Sequence, residues 1–248
     1  MRLKGKNVLV TGGNSGIGFA VAQSALAEGA NLWLHGRDQG KVDQAIAQLT
    51  GHAKGLVADI SSIPAIEQMV DELRRQIDGL DGLIVNAGTA RFAPIDQADE
   101  TLFDQLVSVN FKGAFFTIRS LLPLLHRGSS VVINGSVLGK KGLPGSSIYA
   151  ATKAAVRSLA RSLAPELASR GIRINVVSPG PVLTPLLDKQ GLKEEDKTQI
   201  LQSYETMTLM GRAATPQDIA PAFTYLLADD SSFVTGIELD CDGGMAQI

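Results

Sequence analysis

Seven short runs rich in Val, Ile and Leu recur along this chain: NVLVTG, NLWLHG, AKGLVADI, DGLIVNAG, SSVVINGS, GIRINVVSPG and GIELDCDGG. Each is strand-sized. The first is a continuous apolar run, as expected of a strand covered on both faces. Helical patterns separate the runs, predicted over residues 16–28, 39–49, 63–77, 100–126 and from YAATK to about 170. Such alternation calls for a parallel sheet with helices on both faces and right-handed crossovers. The expected fold class is therefore α/β, a Rossmann-type doubly wound domain. Pro64 suits a first helical turn that Asp59 or Ser61 could cap, whereas Pro165 should kink or loosen the helix that holds it. No linker or repeat interrupts the pattern, so one domain is expected over residues 1–248. Residues 184–212 break the rhythm between strands six and seven. They are charged, carry a short helical pattern and follow the carboxyl end of a strand, as a substrate lid would.

Composition removes several classes. The net charge is −2, with no basic excess for a nucleic-acid surface. No apolar run approaches the ~20 residues of a membrane span. Strand one begins almost at once, without the pattern of a signal peptide, and the only cysteine is Cys241; both point to a cytoplasmic protein. Cys241 itself reads as a buried small residue near the last strand. Three scattered histidines, His35, His52 and His126, form no metal-ligand pattern, so no metal is expected.

Between strand one and the first helix stands TGGNSGIG, residues 11–18. Glycines at 12, 13, 16 and 18 let backbone N–H groups and a helix N-terminus approach a pyrophosphate. The spacing is not the common G-x-G-x-x-G, yet its place in the first strand-to-helix turn favours a dinucleotide. Strand two ends LHGRD. Where an acid would bind the ribose diol of NAD(H) there is Gly36, followed by Arg37, whose guanidinium suits a 2′-phosphate. NADP(H) is therefore expected over NAD(H), with Asp38 helping to start the next helix.

YAATK places Tyr149 and Lys153 one helical turn apart on a shared face. A fixed cation favours a phenolate, so Lys153 is expected to lower the pKa of Tyr149 and fit it for general acid–base work. On spacing alone, packing for Tyr149 and solvation for Lys153 explain the pair as well.

TGGNSGIG, NAG at Asn86–Gly88, VN ending at Asn110, Ser136, YAATK, and SPG at Ser178–Gly180 follow one another in register with the predicted elements. The chain resembles the short-chain dehydrogenase/reductase family, in its form of about 250 residues. The resemblance implies a seven-stranded sheet of order 3-2-1-4-5-6-7. It implies a catalytic set of Asn110, Ser136, Tyr149 and Lys153: Tyr149 as acid/base, Lys153 also on the nicotinamide ribose, Ser136 on the substrate oxygen, and Asn110 holding a water in a proton relay. It implies cofactor contacts from Gly12, Asn14, Ser15, Gly16, Ile17 and Gly18, from Asp59 and Ile60 beside the adenine, and from Asn86, Ala87 and Gly88. Pro179, Gly180, Val182 and Thr184 would line the nicotinamide.

The apolar residues Val137, Leu138, Leu143, Pro181, Leu186 and Leu187 are candidate walls for a small or medium hydrophobic ketone or alcohol, with Arg91 and Phe92 at the rim. The expected activity is an NADP(H)-dependent ketone reductase. The main alternative is a 3-oxoacyl reductase of acyl-carrier protein. Arg170 matches one carrier-binding arginine; a second, expected near Ser130, is lacking. A non-catalytic NADP(H)-binding regulator is a further alternative, disfavoured by the intact catalytic set. Many relatives are tetramers, so a homotetramer, or a homodimer, is expected.

Overall fold

Along the first strand Val8, Leu9 and Val10 are all fully buried. Val8 and Val10 enter one apolar layer and Leu9 the other, so consecutive side chains feed opposite faces. A computed structural model, describing residues 1–185 and 194–247, extends this arrangement across the molecule. Its strands are β1 (Asn7–Thr11), β2 (Asn31–Gly36), β3 (Ala53–Val57), β4 (Leu80–Val85), β5 (Leu125–Asn134), β6 (Arg173–Pro179) and β7 (Glu238–Cys241). All pair in parallel, in the order β3-β2-β1-β4-β5-β6-β7.

The helices are α1 (Gly16–Ala27), α2 (Gln39–Ala47), α3 (Ile63–Arg74), α4 (Glu100–Val107), α5 (Ala114–Leu121), α6 (Ser147–Ala168), α7 (Glu194–Met207) and α8 (Pro216–Leu227). Ile66 and Met69 of α3, Ile118 and Leu121 of α5, and Val156 and Ala160 of α6 cover one face of the sheet. Val21 and Ala22 of α1, Val42 of α2, and Phe223 and Leu226 of α8 cover the other. Phe223 is fully buried. A side chain of that kind contributes about 1.5–3 kcal/mol through burial.

Several elements differ from expectation. The long helix predicted over 100–126 is α4, a π-helical turn at Ser108–Gly113, and α5. The helix stops at Leu121, just before Pro123, and the residues that follow open β5 with a pairing of Leu125 to Leu80. A Cβ on Gly113 would lie 2.7 Å from the Ile60 carbonyl oxygen, so the π turn sits tight against the exit of β3. Neither Asp59 nor Ser61 caps α3: Ser62 does, accepting from the Ala65 N–H, while Asp59 accepts from Ser61. α6 runs through Pro165 to Ala168 without a break. Helix α8 lies where no helix was expected. Its Thr215 and Asp218 form a reciprocal capping box, and TPQD carries that signature in sequence. Cys241 is half-buried on β7, and burial pushes its thiol up to about 11.

Candidate active site

The chain leaves β1 through Gly12 and enters α1 at Gly16, with φ of +61° and +56°. Such angles are costly for any residue with a Cβ. A Cβ on Gly12 would also stand 2.8 Å from the Ala87 Cα, so only glycine lets the exits of β1 and β4 come this close. Gly18 packs α1 down onto the Gly12 carbonyl and the Asn86 amide. Ser15 precedes the helix, yet its side chain caps nothing. The first-turn N–H groups of α1 are therefore left to whatever enters the cleft, and they suit a pyrophosphate.

That cleft, about 370 Å³, collects the carboxyl ends of the strands. Arg37, Asp38, Asp59 and Ile60 line one end. Gly12, Asn14, Ser15, Gly16 and Ile17 line the middle with Asn86, Ala87 and Gly88, and Tyr149, Lys153 and Thr184 line the other end. Parallel α/β sheets bind their ligands at this edge. Asp38 caps α2, accepting from the Lys41 N–H at 2.9 Å, so its carboxylate has local work. Gly36 has no room for a side chain: a Cβ would lie 2.7 Å from Val42 Cγ2 and 3.0 Å from Asn14 Oδ1. The cleft thus joins the exit of β2, where Arg37 stands and Asp38 is taken up by the α2 cap, to an anion-binding turn and then to a Tyr–Lys pair. This donor set fits a nicotinamide dinucleotide.

Asn86 ties three strands together. Its Nδ2 donates to the carbonyls of Thr11 and Gly12, and its Oδ1 accepts from Asn134 Nδ2 at 2.9 Å. Asn134 was not foreseen. It lines the cleft, and its backbone carbonyl accepts from Lys153 Nζ at 2.8 Å. The available signal was a lone polar residue closing the apolar run of β5, two positions before Ser136.

Burial pushes Tyr149 up to about 12, against the opposite pull of the Ser136 hydroxyl. Burial pushes Lys153 down to about 8. Lys153 Nζ lies 5.7 Å from the Tyr149 ring centroid. The expected lowering of Tyr149 by Lys153 is therefore corrected: the ammonium is held on Asn134, and loss of water dominates both groups. Phe92 packs edge-on to Tyr149, with ring centroids 5.7 Å apart.

Asn110 sits in the π turn and is buried. Its Oδ1 accepts from the Thr89 N–H at 2.8 Å, and its Nδ2 donates to the Thr89 carbonyl and to Thr152 Oγ1. The side chain fastens the loop after β4 rather than facing the cleft.

Other predicted residues, Ser136 among them, also stand outside the cleft lining. Val137 is in the interior. Val182 bridges to Ala214 and packs on the core. Gly180 lies under the C-terminal turn, where a Cβ would meet Asp242 Cα at 2.8 Å. Pro179 ends β6, paired with Cys241. Leu138, Leu143 and Pro181 are half-buried in the neighbouring loops. Leu186 and Leu187 lie outside the described residues.

A parallel doubly wound sheet with its cleft at the strand ends defines a dinucleotide-binding protein. A family model described as enoyl-(acyl carrier protein) reductase matches residues 12–246. The chain is 37% identical to 2-(S)-hydroxypropyl-CoM dehydrogenase 3 of Xanthobacter autotrophicus, over 100% of this chain and 99% of that one. It is 33% identical to the 3-oxoacyl-(acyl-carrier-protein) reductase FabG of Thermotoga maritima, over 99% of each. A solved short chain dehydrogenase/reductase family protein superimposes with a TM-score of 0.87 at 35% identity, over 100% of both chains. The chain belongs to the short-chain dehydrogenase/reductase family, oxidoreductases that act on alcohols and ketones with a nicotinamide cofactor.

Proposed function

We propose that the chain is an NADP(H)-dependent reductase of small or medium hydrophobic ketones, able to run in reverse on secondary alcohols. The observation that carries this reading is Tyr149 beside buried Lys153, with the Ser136 hydroxyl acting on the phenol, at the far end of the cleft from Arg37. A nicotinamide held in this cleft would supply the hydride in reduction and take it up in oxidation. Negative charge then grows on the carbonyl oxygen, and hydroxyl donors from Ser136 and Tyr149 stabilise it, each typically worth roughly 3–4 kcal/mol. With its pKa near 12, Tyr149 holds its proton through neutral pH and delivers it to the product oxygen. Lys153, donating to Asn134, stands where it can also hold ribose hydroxyls. Asn110 sets the loop carrying Thr89, on the wall of the cleft.

Arg37 is exposed at the cleft and free of local capping duty, as a phosphate ligand should be. Because a side chain at Gly36 would collide with Val42, an acid introduced there would disturb α2 as well as the cofactor. Arg37→Ala is the cleaner test. It should weaken NADPH binding about 10- to 100-fold, on the scale of a charged hydrogen bond, and leave NADH within about twofold. Absorbance at 340 nm against ketones, aldehydes and 3-oxoacyl esters gives kcat/KM for both cofactors. A preference for NADH, or equal loss of both in Arg37→Ala, overturns the NADP(H) reading.

The name of the Thermotoga relative favours a second reading, a 3-oxoacyl-carrier reductase. Arg170 counts against it, because its guanidinium donates to the Leu122 and Leu125 carbonyls rather than standing ready for an acidic partner. Turnover of 3-oxoacyl esters alone would favour it; no turnover of any carbonyl would favour a non-catalytic binder. Residues 1–248 act as one domain in this proposal, with α7 as part of a substrate lid over 184–212. Exposed Phe103 on α4 and Phe115 on α5 support a homotetramer or homodimer, which light scattering would test.

A further inference from the structure

His35 lies on β2, 2% exposed, and each of its polar atoms is committed. Its backbone carbonyl accepts from the Gly13 N–H at 2.9 Å. Its Nδ1 lies 3.3 Å from the Gly12 N–H, which can only donate, so Nδ1 is the acceptor. Its Nε2 lies 3.0 Å from the Ala58 carbonyl, which can only accept, so Nε2 carries the proton. The two bonds select one tautomer of the neutral ring. We propose that His35 is a positioning residue for the nucleotide: as a neutral imidazole it fastens the glycine turn after β1 to the exit of β3. The proposal rests on the reading of that turn as the cofactor's pyrophosphate site.

The consequence for the turn is specific. The N–H groups of Gly12 and Gly13 are occupied by His35, so a pyrophosphate is left with those nearer the start of α1. The ring also fixes Ala58, the residue before Asp59 and Ile60 at the adenine end. One side chain thereby sets the spacing of the two ends of the nucleotide site. A proton added at Nδ1 would turn its acceptor into a donor facing the Gly12 N–H, and the bond would be replaced by repulsion.

The charged surroundings are sparse. Residues 7–27, which supply β1, the turn and α1, contain no titratable side chain, and neither do 82–90 of β4 and its exit. Asp59, beyond β3, acts on the ring, and Arg37 acts on Asp59. Lys54 of β3 lies over the Trp33 ring. Asp38, at the start of α2, accepts from the Lys41 backbone N–H, and the Lys41 side chain lines the cleft. Burial lowers the ring's pKa, against the opposite pull of the Ala58 bond and Asp59. The neutral form is thus complete at neutral pH, and its hold on the turn is lost only as pH falls below the free-histidine value of about 6.5.

The test is calorimetric titration with NADP⁺ from pH 7.5 to 5.0, on wild type, His35→Asn and His35→Leu. Asparagine offers an amide oxygen near the Nδ1 position and does not titrate. The nucleotide phosphate titrates alike in all three, so ratios between proteins isolate the ring. Expected is a His35→Asn affinity within about threefold of wild type at pH 7.5, because the amide oxygen restores the acceptor for the Gly12 N–H. His35→Leu, without an acceptor for Gly12, should bind at least tenfold more weakly than wild type at pH 7.5. Melting of the nucleotide-free proteins supplies a second readout: wild type should lose more stability than His35→Asn below pH 6.5. A His35→Leu that binds as tightly as wild type overturns the proposal, as does, should that variant fail to fold, a His35→Asn more than tenfold weaker than wild type at pH 7.5. Wild type that binds at pH 7.5 while His35→Leu binds as tightly sinks His35 alone; wild type that binds no nucleotide sinks the pyrophosphate reading with it.

Discussion

Burial moves Tyr149 and Lys153 in opposite directions, so that at pH 7 the phenol keeps its proton and the lysine is still mostly a buried ammonium. Tyr149→Phe should keep NADPH affinity within about twofold and lower kcat at least 100-fold, since it deletes a transition-state donor that is also the proton source. Stopped-flow turnover alongside fluorescence titration checks the split. Lys153→Met should abolish turnover yet stabilise the protein by about 1–2 kcal/mol at pH 7, because a buried charge without a counter-ion is removed along with one hydrogen bond. The lysine loses its proton near pH 8 when folded, but only near 10.5 when unfolded. Between those values the unfolded wild type binds more protons, so wild-type stability rises with pH and the gap to the variant closes. Urea melts at pH 7, 8.5 and 10 measure it; a variant less stable at pH 7 refutes the balance of burial over bonding.

At the level of elements, the strands were legible because parallel strands buried on two faces must be apolar throughout. Val8 to Val10 and Val131 to Ile133 state this in residues alone. The glycine turn was legible for the same reason in reverse, since only glycine tolerates Gly12's backbone angle beside Ala87. The π turn was not, because its apolar spacing passes for α-helix and one extra residue per turn leaves no mark in composition. The start of β5 was misread because LLPLLH continues the apolar pattern of α5 after Pro123 has ended the helix. Bonds between distant side chains, such as His35 with Gly12 or Asn134 with Asn86, require the folded sheet before they can be seen. Helix α8 is legible in its first residues: Thr215 and Asp218 announce it. Thr215→Ala should cost about 1 kcal/mol in chemical denaturation, the usual value of an N-cap. A loss below ~0.3 kcal/mol would mean that the Arg212–Asp218 pair alone holds this helix start.

On the scale of the whole molecule, the cleft draws on residues from Gly12 to Pro185, so its two ends are far apart in sequence. The lid reading of α7 predicts that backbone amides in 199–207 gain at least tenfold protection from hydrogen exchange when NADP⁺ and an alcohol bind together. Equal protection with and without them rejects a closing motion. The central place of β1 carries a consequence in time. Val8 pairs with Leu32 on one side and with Gly82 on the other. At about 5–20 residues per second on the ribosome, the second partner emerges roughly 4 to 15 seconds after the strand itself. Through that interval an apolar strand offers an open edge to any neighbour. Nascent chains released before residue 80 should therefore precipitate, whereas those released after residue 90 should stay dispersed longer. Overproduction should strain the cell's chaperones while the residues up to Gly82 are being made, well before the chemistry exists to be protected.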